Sequence, residues 1–227
     1  MSITENYQKI RNEIPDYVTI VLAGKKRTAE EIAEVIDAGA TDIGENYVQE
    51  AEKMYNSLGE KAKTIRWHMI GNLQKNKINK ALAVFDVIQT VDSLEKAVAV
   101  EERIAKSEKK IIPVYIEINI GSEMTKAGVK PEYEAIEELV EEISKLAHLR
   151  LEGLMTMGPG FGDPEELRIY FRKTKAVFEK IKALGLSGVD MKTLSMGMSN
   201  SYKVAVEEGS NMIRLGTVIF GERKYGG

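Results

Sequence analysis

The sequence contains no cysteine, and only two histidines and one tryptophan among its 227 residues. Without cysteine, disulfides, thiol catalysis and thiolate-bound metals are excluded. The histidines, His68 and His148, lie far apart and match no metal-ligand spacing, so no metal site is expected. Net charge is equally scarce. Lys and Arg number 32 against 35 Asp and Glu, a balance of −3 that lacks the basic surplus usual in nucleic-acid binders. Long apolar runs are missing too. The stretch from Ile111 to Ile120 is broken by Pro113, Glu117 and Asn119 and is too short to span a bilayer. The opening Met1-Ser-Ile-Thr-Glu-Asn-Tyr-Gln-Lys lacks the apolar centre of a signal peptide. A cytoplasmic protein with neither nucleic-acid nor membrane partners is expected.

What is present is a sizeable apolar fraction, 43% of residues, beside 30% charged ones, enough to bury a core and stay soluble. Short β-rich runs alternate with helical patterns almost from end to end. The predicted strands are Tyr17–Leu22, Asp42–Gly44, Thr64–Ile70, Val84–Thr90, Ile111–Ile118, Leu149–Thr156, Thr193–Met196 and Met212–Leu215. Several are near-continuous apolar runs, as strands buried on both faces of a parallel sheet are. Between them, Thr28 with Glu31 reads as a capping box opening a helix. Asp92-Ser-Leu-Glu, Pro131–Leu146 and Asp163–Leu184 repeat the helical pattern. About eight βα units without a linker suggest a barrel or a doubly wound sheet. No G-x-G-x-x-G follows the first strand, which weighs against the second. The expectation is an α/β fold, one (β/α)8 TIM-type barrel domain over residues 1–227.

Such barrels carry their sites at the C-terminal ends of the strands, and often hold phosphate in the loops after the last two. That rule selects Lys25 after the first strand, Asn46 and Tyr47 after the second, and Ser199, Gly216 and Thr217 in the last two loops. Small residues, hydroxyls and helix N-termini would make the last two loops an anion cradle, although helix capping accounts for either loop alone. Lys25 becomes a carbonyl nucleophile only if its amine sheds a proton, which burial and the neighbouring Lys26 and Arg27 favour; a solvated basic turn is the plainer alternative. Arg214, inside an apolar strand, needs a partner: either a salt bridge or the ring nitrogen of a bound pyridine. Trp67 and His68 read as packing and a strand-end hydrogen bond, and Met155, Met157, Met196 and Met198 as filler lining the barrel mouth.

From about Val18 to Arg223 the sequence resembles the pyridoxal phosphate homeostasis proteins, relatives of the alanine racemase N-terminal barrel. The resemblance rests on Gly44-Glu-Asn-Tyr-Val-Gln-Glu50, Trp67-His-Met-Ile-Gly71 with Leu73-Gln74 and Asn76-Lys77, Leu194-Ser-Met-Gly-Met-Ser199, and Ile213-Arg-Leu-Gly-Thr217 with Ile219-Phe-Gly-Glu-Arg223. It implies pyridoxal 5'-phosphate (PLP) bound as a Schiff base on Lys25, with Asn46 near the cofactor. It also implies phosphate contacts from Ser199, Gly216 and Thr217, and Arg214 at the pyridine nitrogen. Three positions depart from the family: Gly24-Lys25-Lys26 replaces Ser-Lys-Thr, Asn72 replaces Pro, and Asn200 replaces Asp. Lys26 therefore competes with Lys25. The implied role is PLP homeostasis or delivery to apo-enzymes without robust catalysis, hence no catalytic residues. An Arg at the ring nitrogen agrees, since it keeps that nitrogen unprotonated. With no second, β-rich domain after Gly227, a monomer is expected. A small amino-acid racemase using Tyr47 or His68, and a phosphosugar-type barrel without PLP, are the competing readings.

Overall fold

The computed structural model describes residues 2–107, 111–120, 127–158 and 163–222. Eight parallel strands close into a barrel in sequence order: β1 (Thr19–Ala23), β2 (Asp42–Glu45), β3 (Arg66–Met69), β4 (Val87–Val91), β5 (Ile112–Ile118), β6 (Leu149–Thr156), β7 (Val189–Ser195) and β8 (Met212–Leu215). The helices are α1 (Ile3–Glu13), α2 (Ala29–Asp37), α3 (Val48–Leu58), α4 (Ile78–Val84), α5 (Leu94–Ile104), α6 (Tyr133–Ser144), α7 (Arg168–Ala183), α8 (Tyr202–Glu207) and α9 (Thr217–Phe220). The expected (β/α)8 barrel is therefore the fold. Thr28 caps α2 in the full capping box, its hydroxyl accepting from the Glu31 amide at 3.2 Å.

Several boundaries differ from the sequence reading. The run from Val84 divides, because α4 keeps Val84 and β4 starts only at Val87. Asp163–Leu184 splits into a 3-10 turn, Pro164–Leu167, and α7, since Pro164 sits at the start of the turn. The seventh strand begins earlier, at Val189, with alternating exposure that hid it from a search for buried runs. The helix α1 was not anticipated. It is polar overall and is tied down locally: Thr4 donates to Glu34 of α2, and the Asn6 amide donates to the Ile219 carbonyl of α9 at 2.9 Å.

Packing separates into two regions. The larger apolar core lies between strands and helices, with Ile32, Trp67, Phe85 and Phe171 fully buried there. A smaller cluster fills the lumen: Val21, Ile70, Val87, Tyr115, Met155 and Met212. Most of the remaining lumen positions are polar, unlike the branched aliphatic layers usual inside such barrels. Met155 and Met157 join the inner cluster as expected, but Met196 belongs to the outer core.

Strands β6 and β7 pass unusually close where their register slips. A Cβ at Gly153 would lie 2.2 Å from the Thr193 carbonyl oxygen, so only glycine fits without moving backbone. Gly153→Ala is expected to lower stability by about 1–3 kcal/mol, read as a shift in the urea midpoint. An unchanged midpoint would mean that the two strands separate at little cost.

Candidate functional site

The positions singled out in the sequence sit at the C-terminal ends of β1, β2, β7 and β8, which are contiguous in the closed barrel. Gly24 follows β1 and its amide donates to the Gly44 carbonyl at 2.9 Å, which fixes the turn bearing Lys25 against β2. Lys25 is half-buried, with Nζ 5.0 Å from the Tyr47 ring centroid. Lys26 is exposed and takes φ 60°, a strained left-handed conformation for a side-chain-bearing residue. Of the two lysines, Lys25 is the more buried and lies against Tyr47.

Opposite, the Ser199 hydroxyl accepts from the Gly216 amide at 3.1 Å and the Val218 amide at 3.5 Å. It therefore joins the loop after β7 to the start of α9, beside exposed Thr217. Asn200 adds a buried Nδ2 with no hydrogen-bond partner. Gly216 leaves room, since a Cβ there would meet only the Ala23 Cβ at 3.6 Å. Asn46 is half-buried after β2 and packs on Gly71, where a Cβ would lie 2.4 Å from the Asn46 carbonyl oxygen.

Arg214 is 4% exposed and points into the barrel. Among the described residues it has no direct ion pair; it donates to the Ser195 carbonyl at 2.9 Å, the Ser195 hydroxyl at 2.6 Å and the Thr156 carbonyl at 2.6 Å. These three bonds leave two of its five N–H donors for another acceptor. Burial pulls its pKa down to about 10, opposed by the Glu117 charge, so it remains a cation at neutral pH.

Sequence reasoning gave no role to Glu117 or Glu45. Buried Glu117 is pushed up to about 7, first by desolvation and then by the Asp92 charge, with Lys96 and Arg214 opposing. Buried Glu45 lies under the Lys25 turn: a Cβ on Gly24 would fall 2.4 Å from Glu45 Oε1. Its Oε2 has no hydrogen-bond partner. Desolvation, then the Glu50 charge, raises its pKa to about 8 against the Asn46 amide and the Lys25 charge. His68, one residue before the end of β3, is fully buried in the lumen and makes its hydrogen bonds there, to Asp42 and Gln89. The available signal was a polar residue at an inward step of a buried strand, as in Val-Ile-Gln89-Thr-Val. Among the described residues no cluster of three His, Cys, Asp or Glu could hold a metal. No described helix is long and apolar enough to cross a membrane.

Residues 1–224 match the family model of the alanine racemase N-terminal domain. The chain is 38% identical over 203 residues to the pyridoxal phosphate homeostasis protein of Aquifex aeolicus, covering 89% of this chain and 86% of the relative. Among solved structures, PipY of Synechococcus elongatus with PLP bound is 28% identical, with TM-score 0.88 over 97% of this chain and all of that one. An alanine racemase of Clostridium difficile, 22% identical, shares the barrel alone: TM-score 0.76 over 97% of this chain and 56% of that one.

A carboxyl whose folded pKa lies above its unfolded value destabilises the native state once it ionises. For Glu45 that cost is absent below pH 4.5, grows as pH rises, and levels off above pH 8. Glu45→Gln should remove the decline. Urea midpoints of wild type and variant are expected to diverge between about pH 5 and 8, with a slope up to about 1.4 kcal/mol per pH unit. Parallel curves would show that Glu45 is already ionised in the folded protein at neutral pH.

Proposed function

The chain belongs to the pyridoxal phosphate homeostasis protein family, within the alanine racemase N-terminal-domain family, and from that premise we propose that it binds PLP and serves its intracellular homeostasis or delivery. The carrying observation is the cationic, hydroxyl- and amide-rich mouth assembled by four contiguous strands. A phosphorylated pyridine aldehyde needs an amine, an anion cradle and a partner for its ring nitrogen. Lys25 supplies a half-buried amine. The Ser199 hydroxyl and the Gly216 and Val218 amides supply polar groups already grouped within hydrogen-bond reach of one another. Arg214 supplies a cation with donors to spare. The residues fit the group.

In this reading Lys25 holds PLP as a Schiff base, Ser199, Gly216 and Thr217 bind its phosphate, Asn46 lies beside it, and Arg214 faces the pyridine nitrogen. When bound, PLP supplies an aldehyde that primary amines capture reversibly. The Tyr47 ring beside Lys25 shields its amine from water on one side. Arg214, charged at neutral pH, withholds a proton from the ring nitrogen, which leaves the ring a weak electron sink and suits storage better than carbanion chemistry. The acceptors would be apo-enzymes that use PLP, and the protein a cytoplasmic monomer formed by one domain over residues 1–227.

The competing racemase reading needs a second acid/base at the mouth. His68 has both ring nitrogens engaged deep in the lumen, which removes it as a candidate and leaves Tyr47, 5.0 Å from Lys25 Nζ at its ring centroid. Turnover of L-alanine to D-alanine that disappears in Tyr47→Phe would favour that reading.

The direct test incubates wild type, Lys25→Ala and Lys26→Ala with PLP, reduces with borohydride, and weighs the intact protein. The mass of one reduced PLP is expected on wild type and Lys26→Ala and absent from Lys25→Ala. An adduct retained by Lys25→Ala and lost by Lys26→Ala would move the attachment point. Ser199→Ala should weaken PLP binding on the order of tenfold, the scale of one hydrogen bond to a charged group, by fluorescence titration.

A further inference from the structure

The lumen holds a feature that PLP binding at the mouth does not by itself require. From Arg214 on β8, N–H donates to the Ser195 hydroxyl of β7 at 2.6 Å, and that hydroxyl donates to Gln89 Oε1 of β4 at 2.8 Å. Gln89 Nε2 lies 2.9 Å from His68 Nδ1 on β3, and His68 Nε2 lies 2.8 Å from Asp42 Oδ1 on β2. Arg214, Ser195, Gln89, His68 and Asp42 are all buried, none more than 4% exposed. Five strands thus contribute one residue each to a chain that crosses the barrel interior.

Its direction is determined by chemistry. Arg can only donate. Ser195 accepts from Arg214, so its single proton goes to Gln89 Oε1. That orients the Gln89 amide with its NH2 toward His68, which must then accept at Nδ1 and carry its proton on Nε2, aimed at Asp42. Gln89 Nε2 also lies 3.3 Å from the Met212 sulfur, a weak acceptor, which agrees with this orientation. Asp42, the terminal acceptor, receives a second bond from the Thr41 hydroxyl at 2.6 Å. Every dipole in the chain turns its negative end to the cation and its positive end to the anion. Ser195, Gln89 and His68 therefore take the place of water between two charges buried in the barrel.

We propose that Gln89 and His68 are positioning residues for Arg214, and that the chain ending on Asp42 fixes the orientation and charge of the guanidinium presented to the bound pyridine. The proposal rests on the reading of Arg214 as the ring-nitrogen partner. With Gln89 in place the Ser195 hydroxyl has one orientation, and Arg214 has one way to satisfy it. Without Gln89 the hydroxyl turns freely, the guanidinium loses a fixed partner, and the link to Asp42 is cut. His68 is held neutral by burial, which outweighs the pull of Asp42 toward protonation; it acts as a fixed dipole and carries no charge of its own.

The test uses the full-length protein and two probes. Pyridoxine 5'-phosphate has the ring and phosphate but no aldehyde, so it reports on the ring site independently of Lys25. In wild type, 15N NMR of histidine should find His68 neutral with the proton on Nε2, and its Nδ1 resonance should shift when this probe binds. In Gln89→Leu the shift should vanish. With PLP itself, Gln89→Leu should still give the borohydride-trapped adduct on Lys25, but with a displaced absorbance maximum and release faster on the order of tenfold. Ile88→Ala, a neighbouring cavity in the outer core, is the control for lost stability and should leave spectrum and release unchanged. If Gln89→Leu does not fold, His68→Asn serves in its place. A His68 resonance that ignores the probe in wild type, or a Gln89→Leu spectrum and release rate equal to wild type, would overturn the proposal. Failure of wild type to form any PLP adduct would instead strike the Lys25 reading, while the response of His68 to the aldehyde-free probe still decides this one.

Discussion

A full positive charge inside a closed barrel is the constraint around which this molecule is arranged. Arg214 stands in an eight-stranded lumen with no carboxylate in direct contact among the described residues, and an unsolvated buried charge is among the costliest features a fold can carry. The structure answers with dipoles. Two backbone carbonyls and a hydroxyl take three of the guanidinium hydrogens, and the hydroxyl hands the polarisation on toward Asp42. Such a lumen cannot also be a greasy core. The apolar burial that stabilises the fold is therefore displaced outward, to the layer between strands and helices, while the interior keeps only a small apolar cluster around Tyr115 and Met155.

The same burial shapes the mouth. Desolvation raises Glu45 to about 8 and Glu117 to about 7, so the carboxyls nearest Lys25 and Arg214 give up much or all of their negative charge near neutral pH. Arg214 does not, because it stays near 10 even when buried. The guanidinium thus keeps its charge beside a weakened Glu117 carboxylate, an arrangement that favours an anion such as a phosphate monoester. A direct Arg214–Glu117 ion pair would have cancelled that charge; the hydrogen-bonded arrangement does not.

Alternation of short apolar runs with helical patterns was enough to predict the barrel, and Thr28 with Glu31 was enough to predict a capped α2. The strand-end rule placed Lys25, Asn46, Ser199 and Gly216 on contiguous strands. The lumen was not legible in the same way. A parallel strand buried on both faces loses its period-two signature, so Gln89 and Glu117 read only as interruptions, and Asp42 as an ordinary strand start. His68 was expected to make a strand-end hydrogen bond; it lies one residue before the end of β3, and its bonds run inside the lumen to Asp42 and Gln89. Met196 was expected at the mouth, whereas the turn after β7 swings it into the outer core. The α1 helix escaped because its sequence is polar, and its hydrogen bonds to α2 and α9 hold it in place.

The direction of the lumen chain bears on what such a site is suited for. A proton relay needs a group that can accept a proton at one end and release it at the other. Here every proton is already committed: Gln89 and Ser195 have no accessible ionisation, and His68 would have to break its bond to Gln89 before accepting a proton on Nδ1, in surroundings that burial keeps hostile to its charge. The chain therefore polarises without transferring. On the reading of Arg214 as the ring-nitrogen partner, it would present a bound pyridine with a fixed cation. Fixed donors with little reorganisation favour tight, orderly holding, and any acid/base step would have to come from groups at the mouth such as Tyr47 beside Lys25. On the reading proposed here, the feature that lets the barrel tolerate Arg214 would also hold the ring in one orientation while Lys25 keeps the aldehyde as a Schiff base until an outside amine displaces it.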